Sequence, residues 1–197
     1  MKRMIVAFLY SILFVVSVSA DVEERHPSKW LPDYGKIQYA GNIGWISFGG
    51  GYEFLHRTLQ ADCMYGFVPK AIGGKEIHSI TLKLTVTPGK LYIGKGIEIV
   101  PVQFGAFANL AIGDNYVLIW PGYYPRNYYY STSFNSGEFI GFRIGKDLDK
   151  SSLLKKMDVY AEVSTLTVYI QDYLVSDYMD FSDILSLSIG VTLYPRW

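Results

Sequence analysis

The C-terminal stretch 183–197 alternates between apolar and polar side chains, and this pattern constrains the fold more than any other feature. A period of two over so long a stretch predicts a β-strand with one apolar and one polar face. In an open sheet such a strand would expose a pairing edge. A closed barrel has no edge, and in a membrane its apolar face can meet lipid. The apolar parity consists of Leu185, Leu187, Ile189, Val191, Leu193 and Trp197.

This ending resembles the C-terminal strand of bacterial outer-membrane barrels, where alternating apolar residues and a last aromatic residue are read by the barrel assembly machinery. The resemblance implies that Trp197 belongs to an assembly signal and that the assembly machinery is a partner. It also implies contact with outer-membrane lipid and lipopolysaccharide. Pro195 shares the outward parity with Trp197 and lacks a backbone donor. We therefore expect the regular strand to end near Leu193 or Tyr194.

The N-terminus has the organisation of a cleaved secretory signal peptide, residues 1–20. Lys2 and Arg3 precede the apolar stretch 4–18, and small residues stand before Asp21. The apolar stretch is shorter than the ~20 residues of a membrane-spanning helix. We expect export to the bacterial outer membrane, with residues 21–33 as a periplasmic lead-in and 34–197 as the barrel.

Composition supports an all-β fold and excludes some function classes. The chain has 17 Tyr, 11 Phe, 4 Trp and 19 Gly, which favours strands and would furnish two interfacial aromatic girdles. Once the signal peptide is removed, acids slightly outnumber bases, which gives no reason to expect nucleic acid as a partner. Cys63 is the one cysteine, so we interpret it as a small apolar residue. The three His residues lack ligand spacing, and we expect no metal or other cofactor.

The alternating stretches predict an eight-stranded antiparallel up-and-down transmembrane β-barrel. An even number of strands places both ends of the barrel in the periplasm and the long, aromatic connection 113–131 outside. An apparent change of parity between Val163 and Leu166 predicts a bulge near Ser164 and Thr165. Val100 is predicted to face outward. The predicted strands are 36–40, 43–55, 58–68, 76–87, 97–110, 132–146, 156–173 and 183–197.

Two sets of side chains carry the candidate functions. The inward parity predicts a polar lumen whose acids and bases neutralise one another and hold the barrel shut, because an unpaired buried charge is costly. The aromatic connection could bind sugars or lipid headgroups by stacking, or form an interfacial belt. The lumen set is Glu53, Asp62, Lys83, Arg143 and Glu162, with Gln60, Gln103 and Asn109, and the aromatic set is Trp120, Tyr123, Tyr124, Tyr128, Tyr129 and Tyr130.

The glycines 49–51 lie inside a predicted strand. A phosphate-binding glycine loop requires a following Lys-Ser/Thr and a helix, and the sequence has neither at this place. A kink or a close approach of two strands is the better interpretation.

The strand at Ile77-His-Ser-Ile-Thr-Leu and the strand 97–110 resemble the layout of the outer-membrane lipid A 3-O-deacylases. These are eight-stranded barrels with a His, a Ser and an acid on the outer wall. Their His-x-Ser-Asn motif would fall on Glu162-Val-Ser-Thr165, so Ser164 has a counterpart and Glu162 stands at the His position. The resemblance implies an acyl hydrolase acting on lipid A or phospholipid, with Ser164 and Glu162 as its weak catalytic candidates.

Gln38-Tyr-Ala-Gly-Asn-Ile-Gly and Tyr65-Gly-Phe-Val-Pro-Lys70 resemble segments of small barrels from Bacteroidota-type outer membranes, which bring no known activity. The sequence therefore predicts an outer-membrane barrel with a structural or surface-interaction role and no catalysis. Two alternatives stay open: the acyl hydrolase, and a small channel or conduit for apolar molecules.

Overall fold

The structure is a computed structural model, and it describes residues 30–94, 96–113, 116–117, 131–149, 151–175 and 178–196. The predicted signal peptide, most of the lead-in and the terminal Trp197 lie outside these ranges and stay predictions. The last residue of the lead-in is bonded to the barrel, because the backbone N–H of Asp33 donates to Gly51 O at 2.9 Å.

Eight antiparallel strands close into an up-and-down barrel, which confirms the predicted fold class. The eight barrel strands are β1 Tyr34–Ala40, β2 Ile46–Phe54, β3 Leu59–Val68, β4 Ile77–Val86, β6 Ile97–Ile112, β7 Phe134–Asp147, β8 Leu154–Leu166 and β9 Ser186–Pro195, and a ninth, short strand is β5 Leu91–Ile93. Each barrel strand pairs with its neighbours along the chain, and β1 pairs with β9 to close the barrel. The short β5 pairs with β6 next to the β4–β6 ladder.

The two faces of the barrel wall differ in polarity, because successive side chains of a strand point to opposite sides. In β4, Leu82 is 61% exposed on the outer face while the neighbouring Lys83 is 3% exposed in the lumen. The same alternation holds in β3, where Cys63 and Tyr65 face outward and Asp62 faces inward. The polarity is thus inverted relative to a water-soluble protein.

The two ends of the barrel differ in their connections. The end that carries Tyr34 and Pro195, here called the terminal end, has the turn 55–58 and the connections 87–96 and 148–153. The opposite end, the loop end, carries the helices Lys70–Gly73 and Thr167–Val175 and the 3₁₀ helix Phe181–Ile184. None of the helices within the described ranges is long and apolar enough to cross a membrane.

The prediction of a bulge near Ser164 and Thr165 is wrong. The β7–β8 register runs without interruption through Thr165 to Leu166. The strand ends there, and the helix Thr167–Val175 follows where the sequence predicted more strand. Leu166 keeps the inward parity of Ser164 and packs against the buried apolar cluster at this end of the lumen, so an apolar residue at an inward position gave the appearance of a parity change.

A real bulge lies in β6, where the register with β7 shifts between Val100 and Gln103. Pro101 stands inside this irregularity and has no N–H for the ladder, so the strand must bulge there. The bulge inverts the parity, and Val100 is fully buried in the lumen. The prediction that Val100 faces outward was therefore wrong.

The last strand begins at Ser186 rather than at residue 183, because Phe181–Ile184 forms a 3₁₀ helix. Its register with β8 is regular up to Tyr194, opposite Lys156, and shifts before Pro195, which lies opposite Leu154. The pairing continues beyond the proline, because the Arg196 backbone N–H donates to Leu153 O at 3.0 Å. The regular ladder thus ends at Tyr194, in agreement with the expected end, and the pairing beyond it is irregular.

The three glycines of β2 allow β2 to approach its neighbours closely, in agreement with the packing interpretation. A Cβ on Gly49 would collide with the backbone carbonyl of Cys63 on β3, whereas a Cβ on Gly35 would meet nothing closer than 3.8 Å. We expect Gly49→Ala to lower the free energy of unfolding by about 1–3 kcal/mol, the usual cost of overpacking. Gly35→Ala is the control and should lie close to wild type. Equal unfolding midpoints for the two variants in urea would contradict the close approach.

Candidate functional site

The middle of the lumen is filled by two ion pairs. Lys83 on β4 pairs with Glu162 on β8, and Gln103 Nε2 donates to the second carboxylate oxygen of Glu162 at 3.0 Å. Lys36 Nζ pairs with Asp62 Oδ2 at 2.8 Å, and the hydroxyl of Tyr34 donates to Asp62 Oδ1 at 2.6 Å. Each carboxylate is thus met by a cation and by a neutral donor.

A second layer lies nearer the terminal end. Lys156 Nζ lies 2.7 Å from Glu98 Oε1 and 3.2 Å from Asp158 Oδ1. Arg143 Nε lies 3.4 Å from Asp158 Oδ2. The Arg143 Nη1 atom also donates to Gln60 Oε1 at 3.0 Å, which ties this layer to β3.

The terminal end is closed by Arg57 and Tyr194. Arg57 Nε pairs with Glu53 Oε2 at 2.8 Å, and its guanidinium lies 5.1 Å from the ring centre of Tyr194. Tyr194 and Gln60 both donate to Glu53 Oε1, each at 3.0 Å. The turn that holds Arg57 has positive φ angles at Leu55 and at Arg57 itself, a conformation that is uncommon outside glycine.

An apolar layer lies on the loop-end side of the ion pairs. Ile43, Met64, Phe107 and Phe139 form a buried cluster, and the partly buried Leu166 packs against it. The Nζ atom of Lys83 lies 4.1 Å from the ring centre of Phe139, so the apolar layer lies directly on the ionic layer. Buried polar side chains border this layer, such as Ser79, which donates to Ile43 O at 2.8 Å.

The buried charges of the lumen balance. Lys36, Lys83, Arg143 and Lys156 are matched by Asp62, Glu98, Asp158 and Glu162, and all eight side chains are at most 5% exposed. A buried charge is tolerated when it is paired and hydrogen-bonded. The arrangement holds opposite walls of the barrel together rather than leaving a polar surface for a ligand.

The structure brings all five predicted lumen residues, Glu53, Asp62, Lys83, Arg143 and Glu162, into this interior. Four further buried lumen charges were not predicted from the sequence: Lys36, Glu98, Lys156 and Asp158. The signal was present in β8, where Lys156, Asp158, Tyr160 and Glu162 share the inward parity. Glu98 could not be assigned to the inner face from the sequence. The bulge at Pro101 shifts the alternation, so residues before it have the opposite parity to those after it.

Ser164 and Glu162, the candidate catalytic residues, both face the lumen and do not contact each other. Ser164 Oγ accepts from Asn42 Nδ2 at 3.1 Å and donates to Ser186 O at 3.3 Å. Glu162 is engaged by Lys83. The Ser164 hydroxyl and the Glu162 carboxylate are thus both bonded to other residues of the lumen.

His78 and Ser79 lie on opposite sides of the wall. His78 Nδ1 lies 2.5 Å from the Tyr65 hydroxyl on the outer face. Ser79 donates to Ile43 O at 2.8 Å in the lumen. Within the described ranges, no group of three or more His, Cys, Asp or Glu is placed to hold a metal ion.

The aromatic residues predicted to stack on sugars or lipid headgroups lie outside the described ranges, and their role stays a prediction. They are Trp120, Tyr123, Tyr124, Tyr128, Tyr129 and Tyr130.

Lys90, in the connection between β4 and β5, provides a pH-dependent prediction. Burial and then the positive charge of Arg57 lower the pKa of this amine from 10.5 to about 8. Between about pH 8 and pH 10.5 the amine of Lys90 is protonated in the unfolded chain but not in the folded protein. The free energy of unfolding should therefore increase as the pH rises through this range. A pH titration of methylated lysines by NMR should show one amine near pH 8 that is missing in Lys90→Gln. Titration of Lys90 at its ordinary pH would contradict the prediction.

No family model, curated protein or solved structure matches the chain.

Proposed function

We propose that this protein is an integral barrel of the bacterial outer membrane with a structural or surface-interaction role and no catalytic activity. The observation that carries the proposal is the inverted polarity of the wall. Ile140, Leu187 and Phe48 are 57%, 61% and 54% exposed on the outer face, while ion pairs fill the interior.

A continuous apolar outer surface is unfavourable in water and favourable against lipid chains. Soluble monomers rarely expose apolar patches beyond a few hundred Å², whereas this belt extends around strands of the whole barrel, from Ile37 on β1 to Ile189 on β9. All backbone polar groups of a closed barrel are paired between strands, which a lipid environment requires. A lipid environment therefore suits the apolar outer face of the barrel better than water does.

The proposed orientation follows from the connections. In outer-membrane barrels the periplasmic turns are short and the outer loops are longer. The terminal end, with the turn 55–58, would face the periplasm, and the loop end, with the helix Thr167–Val175, would face outward. The partners in this proposal are outer-membrane lipid and lipopolysaccharide, together with the barrel assembly machinery.

Membrane fractionation tests the proposal. The protein should be recovered from the outer-membrane fraction, and its gel mobility should change on heating, because a folded barrel migrates differently from the unfolded chain. Recovery as a soluble periplasmic protein would contradict it.

Deletion of Trp197 tests the proposed assembly signal separately, and normal insertion of the shortened chain would argue against that signal.

The filled lumen favours a closed barrel over the channel alternative. The ion pairs of Lys83 and Arg143 and the apolar layer at Phe139 stand in series along the barrel axis. We expect the purified protein to give no steady conductance in planar lipid bilayers. Stepwise conductance with the wild-type chain would contradict this prediction.

Ser164 and Glu162 offer the acyl-hydrolase alternative no support, since both are bonded within the lumen.

A further inference from the structure

A pocket lies at the rim of the loop end, between the start of β7 and the helix Thr167–Val175. Its volume is about 240 Å³, and its lining includes Phe134, Asn135, Ser136 and Gln171. At ~30 Å³ per water molecule, this is room for a lipid headgroup rather than for a whole lipid. The pocket is separate from the lumen network described above.

A chain of hydroxyl groups leads from the pocket to a carboxylate. Ser136 Oγ donates to Thr167 Oγ1 at 3.2 Å, and Thr167 Oγ1 donates to Glu138 Oε1 at 3.3 Å. Ser136 and Glu138 have the same parity in β7 as Ile140, which is on the outer face of the barrel. Glu138 is thus a carboxylate of the outer wall and does not belong to the lumen.

This carboxylate is incompletely satisfied. Glu138 Oε2 is buried and has no hydrogen-bond partner, and the same holds for Thr165 Oγ1 on the facing residue of β8. Within the described ranges no ion pair joins Glu138 to a Lys, Arg or His. A buried acceptor without a donor is costly, and a charged acceptor more so.

We propose that this site binds the primary ammonium headgroup of a lipid in the surrounding membrane. An ammonium carries three N–H donors and a positive charge. The pocket offers the hydroxyls of Ser136 and Thr167 as acceptors, and the negative charge of Glu138 lies behind Thr167. An anionic headgroup would meet a like charge. Below Glu138 the outward residues Ile140 and Phe142 continue as an exposed apolar column, which suits the acyl chains. The inference rests on the proposed membrane placement.

Lipid competition in nanodiscs tests the site. The full chain is inserted into phosphatidylcholine discs that contain equal minor amounts of phosphatidylethanolamine and phosphatidylglycerol, and the lipids that stay bound are counted by native mass spectrometry. We expect retention of phosphatidylethanolamine over phosphatidylglycerol by roughly tenfold, because the Glu138 carboxylate behind Thr167 attracts the ammonium and repels an anionic headgroup. Phosphatidylcholine, whose ammonium has no N–H, should be retained less than phosphatidylethanolamine.

Variants connect that preference to the site. Glu138→Gln and Thr167→Val should each abolish most of the preference, while Glu76→Gln, which removes an exposed carboxylate elsewhere at the loop end, should leave it intact. Heat-dependent gel mobility verifies that each variant is folded. Wild-type protein without the preference, or Glu138→Gln with the preference unchanged, would overturn the site and leave the membrane placement standing. A chain that does not insert would overturn both.

Discussion

Replacing Lys83 with Met is expected to lower the free energy of unfolding by about 3–5 kcal/mol, the cost of breaking a buried ion pair by removing one partner. Lys83 and Glu162 are 3% and 2% exposed and pair across the lumen. The substitution leaves Glu162 charged and buried with only the neutral amide of Gln103 as a donor. Urea unfolding of the protein in lipid vesicles, followed by tryptophan fluorescence, measures the loss.

The double variant Lys83→Met/Glu162→Gln is the matched control. It removes both charges and keeps an acceptor for Gln103, so it should recover most of the stability lost in the single variant. Replacement of a whole buried pair by neutral groups is often close to neutral. Additive losses in the double variant would show that the two side chains do not act as a pair and would contradict the network described above.

Phe139→Ala is expected to cost a similar amount, about 3–5 kcal/mol, because it opens a cavity in the apolar layer of the lumen. Phe139 is 5% exposed and packs with Phe107 and Met64. The substitution also removes the ring that lies against the Lys83 amine.

Phe142, three residues later on the same strand, provides the control. It is 49% exposed on the outer face. Phe142→Ala leaves no enclosed cavity, so it should cost only the transfer of the ring from lipid, about 1.5–3 kcal/mol, and less than Phe139→Ala. Equal losses for the two variants would contradict the assignment of Phe139 to the lumen and Phe142 to the lipid-facing wall.

Much of the barrel could be read from local patterns. Side chains such as Leu82 and Lys83 were assigned to the correct faces, since the period of two requires only the strand itself. The errors lie where one residue changes the local geometry. Pro101 produces a bulge that inverts the parity of Val100, and the apolar Leu166 faces the apolar layer of the lumen, which imitates a parity change within a regular strand.

Alternation in the sequence by itself determined an all-β chain with an apolar outer face and a charged interior. Only the tertiary structure decided which charges meet. Lys83 and Glu162 are 79 residues apart, and Arg143 and Gln60 are 83 residues apart. Their contacts depend on barrel closure and strand register, which are set by all eight strands together. The register between β7 and β8 brings Thr167 beside Glu138 on the outer wall, a juxtaposition that no local pattern contains.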